Sequence, residues 1–289
     1  MKPHPFKTFN AKILLFGEHL INLGSDALSI PYDKFNGALT KGTSSDSRLL
    51  SFLDYLRSSQ FDFLDTSKLL LREELAFSSN IPEGYGCGSS GAIVAACYDH
   101  FKSDQIIDSA ILKERFSKME SFYHGKSSGT DPLISYLDSA IKFSGNTGIH
   151  LIPNFGISLQ DHSLILIDSG RAREGKKQIE WFMAKAEDEQ FRAVLTKKLI
   201  PATQTCIASV LNTDEAALQN SFSAISNFQL EYMDHMIPDS IKTLWIAGSR
   251  SENLHLKICG AGGGGFFIGL MKKNTQLKEL DRYKTYPII

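Results

Sequence analysis

The chain has no apolar run approaching the roughly eighteen residues that a membrane span needs. Its opening, MKPHPFKTFNAK, also lacks the apolar core and cleavage site of a signal peptide. Neither a membrane partner nor export is expected. An excess of one charge is missing as well. Lysine and arginine number 31 against 32 acidic residues, a formal net charge of -1, so the basic surplus of a nucleic-acid binder is absent. Cysteine is scarce: Cys87, Cys97, Cys206 and Cys259 are scattered, with no CxxC pair. That spacing argues against a structural zinc site and against a disulfide framework at this length. Reduced thiols fit a cytoplasmic protein. No long Pro/Ser linker, internal repeat or low-complexity tract is present.

What remains is a globular composition: 289 residues, 42% hydrophobic and 22% charged. The length suits two domains of about 100–200 residues each. Character changes near 150–160, where mixed strand and helix patterns give way to charge-alternating helices over 176–236. The expected division is therefore 1–155 and 156–289, with a packed interface rather than a tether.

Periodicity predicts a strand over 6–16, whose buried run Ile13–Phe16 leads into Gly17-Glu18-His19, and a second strand in ALSIPYD. A helix is predicted over 46–59 and a strand over 68–78. A further helix is expected over 105–124, with Ile107, Ile111, Met119 and Phe122 on its apolar face. LISYLDSAIKF (133–143) reads as one more helix, and SLILID (163–168) as a strand. Asp131 before Pro132 has the pattern of a helix N-cap followed by a good first residue. That capping role stands beside a catalytic one.

Two stretches call for more than structure. Pro82-Glu-Gly-Tyr-Gly-Cys-Gly-Ser-Ser-Gly91 feeds a helix expected to reach about Lys102, with Ile93, Ala96 and Cys97 on one face. Glycines at 84, 86, 88 and 91 free the backbone for positive φ, and a loop entering a helix N-terminus favours anions. No Lys precedes the serines, so this is not a Walker A loop, and no Rossmann unit surrounds it. A loop that merely turns is the alternative. Gly260-Ala-Gly-Gly-Gly-Gly265, bracketed by LHLKIC and FFIGLM, uses more glycine than a turn requires. Something must approach its backbone closely.

Three ordered motifs now stand together: AKILLFGEH at 11–19, PEGYGCGSSGA at 82–92 and KICGAGGGG at 257–265. With HGKSSGTDP at 124–132, they resemble the GHMP kinases (galacto-, homoserine, mevalonate and phosphomevalonate kinases), and among these the members acting on mevalonate. The resemblance spans nearly the whole chain. It implies an α+β, two-domain fold: an N-terminal mixed βα domain with a left-handed βαβ crossover, and a ferredoxin-like C-terminal domain. ATP and substrate would lie in the cleft between them.

By position, the resemblance makes Asp131 the catalytic carboxylate and Lys12 its partner. Ser90 and Glu120 would hold Mg²⁺, and Gly84, Tyr85, Gly86, Cys87, Gly88, Ser89 and Ser90 would cradle the ATP phosphates. Glu18, His19, Gly262 and Gly263 would line the acceptor site. The implied reaction is phosphorylation of a small-molecule hydroxyl, the 5-hydroxyl of mevalonate in isoprenoid synthesis. A sugar such as galactose, phosphomevalonate, or a non-catalytic nucleotide-binding role remain alternatives. A homodimer is implied by the family alone.

There are departures. Family loops carry Leu at Cys87 and Ala at Gly91, Asn at Pro132, and Thr at Gly175 and Cys259. Arg171 and Arg173, in SGRAREGKK (169–177), are either solvated cations or available to an anionic substrate.

Overall fold

The computed structural model of the protein describes residues 6–71, 73–145 and 148–288. Its strands are β1 (Thr8–Phe16), β2 (Ala27–Lys41), β3 (Leu75–Ser79), β4 (Ala140–Ser144), β5 (Gly148–Ile152), β6 (His162–Asp168), β7 (Leu254–Ile258), β8 (Phe266–Lys272) and β9 (Thr285–Pro287). The helices are α1 (Ser47–Ser59), α2 (Thr66–Leu70), α3 (Ser89–Phe101), α4 (Ser109–His124) and α5 (Thr130–Leu137), then α6 (Gly175–Lys185), α7 (Glu189–Val194), α8 (Ile200–Asn212), α9 (Glu215–Tyr232) and α10 (Asp239–Ser251). Among the described residues no helix is long and apolar enough to cross a membrane.

Two compact units interleave along the chain. The first takes the residues up to Lys12, Ile30–Pro82 and Cys87–Ala140; the second takes Ile13–Ser29, Glu83–Gly86 and Ile141 onward. One sheet has the order β1-β2-β4-β5, with β3 also paired to β2. In the first unit the far half of β2 runs antiparallel to β3, from Gly37↔Ser79 to Lys41↔Leu75. Helix α1 is capped by Asp46, whose side chain accepts from Arg48 N, and it buries Leu49, Phe52, Leu53 and Leu56 on one stripe. Helix α3 is buried nearly all round, with Ile93, Ala96 and Cys97 inside as the pattern predicts.

The second unit contains the other sheet, β7-β8-β6-β9, antiparallel throughout. Numbered within the unit, this is the strand order of a ferredoxin-like βαββαβ fold. The second crossover is reduced: between β8 and β9 the only helical turn is a 3₁₀ turn at Leu280–Arg282. Trp245 meets Phe267 of β8 edge-on at 6.1 Å, and Phe182 and Phe222 are fully buried.

Several local expectations are corrected. The stretch 68–78 is not one strand, because Asp65 caps α2 and the strand begins only at Leu75. The apolar face of α4 is Leu112, Phe116 and Met119; Ile107 lies before the helix and is 85% exposed. LISYLDSAIKF is not one helix either. Helix α5 stops at Leu137, Asp138 takes a left-handed φ of 49°, and Ala140 opens β4. Asp131 is not the cap of α5: Gly129 holds that position. The N-cap of α3 is Gly88, with no side-chain bond.

Candidate active site

The site is built from short segments held together by glycine. In the first unit, Gly129 turns the chain into α5 with φ 71°, and a Cβ there would lie 2.1 Å from Lys113 O. Only glycine lets the loop press against α4. Asp131 follows in the first turn of α5, and Lys12 on β1 places its Nζ 3.0 Å from Asp131 Oδ1. The lysine side chain is 11% exposed and the aspartate 36%, so the pair is sheltered on one side and open on the other. Helix α3 meets α5 at Gly91, where a Cβ would come within 2.9 Å of the backbone of Asp131 and Pro132. Gly91 therefore sets how near the two helices lie.

Glu120 projects from α4 and is 3% exposed. Its Oε1 accepts from Ser90 Oγ at 3.2 Å, and its other oxygen accepts from Ser127 Oγ. With the Ser90 proton so used, His124 Nε2, at 3.1 Å, is the donor to Ser90 Oγ. Burial pushes the Glu120 carboxyl up to about 7, and the charge of Asp131 adds to the shift, while Ser127, Lys12 and Ser90 pull it down. A buried carboxylate with surplus negative charge beside it is a setting that a divalent cation relieves. Ser90 and Glu120, one hydroxyl and one carboxylate, suit Mg²⁺, which keeps most of its waters and takes phosphate oxygens as further ligands.

The loop before α3 has a distinctive backbone. Gly84, Gly86 and Gly88 have φ of 74°, 77° and 76°, whereas Tyr85 and Cys87 between them do not take positive φ. Alternation of positive and negative φ is the backbone pattern from which anion-binding nests are built. The loop ends at the N-terminus of the 13-residue α3, which adds its own positive end. Lys12 N donates to Cys87 O at 2.9 Å, and a Cβ on Gly88 would meet Lys12 Cγ at 2.9 Å. The stem of the lysine thus lies over the end of the loop.

In the second unit, His19 is 4% exposed and takes a φ of 61°, rare for a non-glycine residue. Its Nε2–H donates to Ala261 O at 3.1 Å, and its ring stacks on Phe182 at 4.7 Å. Burial lowers its pKa to about 4; Ala261 O opposes, and Arg173 and His235 add to the fall. His19 is therefore neutral at pH 7. Glu18 is also buried and pairs with Lys257, which is fully enclosed.

The glycine loop packs tightly. A Cβ on Gly263 would lie 2.9 Å from Gln178 Nε2, and one on Gly262 would lie 3.2 Å from Met236 Cβ. Arg171 Nη2 donates to Gly263 O at 3.0 Å. Arg173 is half-buried; its Nη1 lies where a Cβ on Gly86 (2.4 Å) or on Gly260 (2.8 Å) would intrude. The guanidinium thus touches both glycine loops.

Within the first unit the structure brings together Lys12, Asp131, Ser90 and Glu120. Within the second, His19 meets Ala261, which precedes Gly262, and Glu18 meets Lys257. Sequence reasoning left out Ser127, His124 and Lys257. The first two stand in the HGKSSGTD loop and the third opens KICGAGGGG, so position beside a motif was the signal. Among the described residues no cluster of three or more His, Cys, Asp or Glu could hold a metal ion.

Residues 57–139 match the family model described as the GHMP kinases N terminal domain. The mevalonate kinase of Archaeoglobus fulgidus is 24% identical over 278 residues, covering 90% of this chain and 90% of that protein. That of Pyrococcus abyssi is 23% identical, covering 90% and 86%. The crystal structure of the Methanococcus jannaschii mevalonate kinase superposes with a TM-score of 0.67 at 18% identity, covering 99% of this chain and 98% of that one. The chain has the fold of that solved kinase, and its residues 57–139 match the N-terminal domain model of the GHMP kinases. Within that class it resembles mevalonate kinase.

Proposed function

We propose that the protein is an ATP-dependent kinase that phosphorylates the 5-hydroxyl of mevalonate. The observation that carries this is the Lys12–Asp131 ion pair at 3.0 Å, held at the first turn of α5 with its carboxylate partly open. Phosphoryl transfer asks for positioning and charge neutralisation rather than a covalent nucleophile. Asp131 would accept and orient the proton of the acceptor hydroxyl. Lys12 holds that carboxylate in place and sets a positive charge beside it. The alternating glycine backbone from Gly84 to Gly88 and the N-terminus of α3 would bind the triphosphate through N–H groups.

Mg²⁺, held by Ser90 and Glu120, would neutralise phosphate oxygens when bound. Ser127 keeps the Glu120 carboxylate oriented toward Ser90. For the acceptor, Arg173 supports an anionic substrate, since it offers a guanidinium between two glycine loops and beside neutral His19. Mevalonate bears such a carboxylate, and galactose does not. The four cysteines are buried thiols, in keeping with a cytoplasmic setting.

The test is incubation with ATP, Mg²⁺ and, in turn, mevalonate, phosphomevalonate, galactose and homoserine, with ADP measured. Mevalonate alone should stimulate ADP release strongly. Stimulation by another acceptor instead would overturn the substrate, and stimulation by none would overturn the activity.

A further inference from the structure

Glu18 and Lys257 are the most deeply buried charged pair in the second unit. The Lys257 side chain is 0% exposed and that of Glu18 3%. The ammonium donates to Glu18 Oε1 and to Ile258 O at 2.8 Å, and lies 5.6 Å from the centroid of the Phe16 ring. A buried ion pair rarely adds net stability over apolar residues of the same volume, because both ions lose their hydration. Its position is informative. Glu18 immediately precedes His19, with its strained φ of 61°, and Lys257 stands three residues before the Gly260–Gly265 run. The same two segments are joined again by His19 Nε2–H to Ala261 O at 3.1 Å. The strand end is fixed from behind as well, since Ile258 N donates to buried Gln229 Oε1 at 2.8 Å.

We propose that Glu18 and Lys257 form an internal tether that positions His19 and the second glycine loop for the acceptor. Glu18 then acts through Lys257 rather than by touching the substrate. The tether is a positioning device, and it rests on the kinase reading given above. Free glycine backbone has no side chain to fix it, and a histidine at positive φ must be over-determined by its surroundings to persist. Two charge-assisted bonds from an enclosed ammonium supply that constraint.

A double-mutant cycle tests it, with Lys257→Met, Glu18→Leu and the double variant. Each is measured for Tm, for KM of mevalonate and of ATP, and for amide hydrogen exchange over residues 260–265. Each single variant leaves one charge buried alone, so its Tm should fall. Its KM for mevalonate should rise by about tenfold and its KM for ATP should stay within about twofold. In the double variant Tm should recover, since two apolar groups replace the pair. The mevalonate KM should remain raised by about tenfold, and exchange over 260–265 should stay fast. Recovery of KM together with Tm would reduce the pair to packing. A rise to about a hundredfold in the double variant would mean that each residue meets the acceptor on its own. Should the native protein release no ADP with mevalonate, the substrate reading falls. Exchange in the double variant still decides the tether: fast supports it and native-like slowness overturns it.

Discussion

Asp131 pairs with Lys12 from the first turn of α5 and does not cap that helix. Asp131→Asn is therefore expected to lower kcat by about 10²–10⁴, the range for a positioned acid or base. Because the pair is partly open to solvent, stability should change by no more than about 1 kcal/mol, and ATP should still bind in a calorimetric titration. A large fall in Tm with turnover intact would return the residue to a structural role. Gly91 makes a second case at this scale. A Cβ there would press on the backbone of Asp131 and Pro132 at 2.9 Å, and backbone yields less readily than a flexible side chain. Gly91→Ala should cost about 1–3 kcal/mol by overpacking and lower kcat as well, because the displaced atoms carry the carboxylate. Normal turnover in a destabilised Gly91→Ala variant would show that α5 shifts without disturbing Asp131.

Among the elements, β9 is short but covers an edge. It pairs Thr285, Tyr286 and Pro287 with Ile167, Leu166 and Ile165 of β6, and Tyr286 meets Phe266 edge-on at 5.7 Å. Deleting residues 284–289 should lower Tm and raise the tendency to aggregate, since it leaves β6 with unpaired backbone groups. Unchanged melting and light scattering would show that the edge is protected otherwise. Strand β6 is legible in the sequence because SLILID is an apolar run too short for most helices. The end of helix α5 is not legible in the same way, because the apolar pattern continues from Leu133 to Phe143 and the break depends on Asp138 taking φ 49°. The face of α4 was misplaced because several apolar residues compete for it, and only packing against its neighbours decides among them. The site residues divide likewise. Lys12, Ser90, Glu120 and Asp131 sit in or near motifs that sequence displays. Lys257 and Ser127 lie in such motifs too, but their partners Glu18 and Glu120 are set by tertiary packing.

Over the whole molecule, two buried groups pull stability in opposite directions as the medium is acidified. His19 has its pKa lowered to about 4. Unfolded imidazole binds its proton near pH 6.5 and the folded one does not, so stability falls as pH drops from about 6.5 toward 4. His100, His235 and His255 are also lowered, chiefly by burial, and act in the same direction. Glu120 is raised to about 7. Over the span from 7 down to its unfolded value near 4.5, the folded state holds a proton that the unfolded state lacks. Its contribution therefore grows as pH falls. His19 and Glu120 are each worth at most about 3 kcal/mol across those spans, so they largely offset one another between pH 6.5 and 4.5. In magnesium-free buffer the native protein should lose Tm only gently over that interval. Glu120→Gln removes the compensating proton and should make the loss distinctly steeper, while also weakening Mg²⁺-dependent nucleotide binding at pH 7. Parallel melting curves for the two proteins would mean that Glu120 is already ionised in the folded state. The surplus negative charge that argues for a cation at this site would then have to be balanced by Lys12 alone.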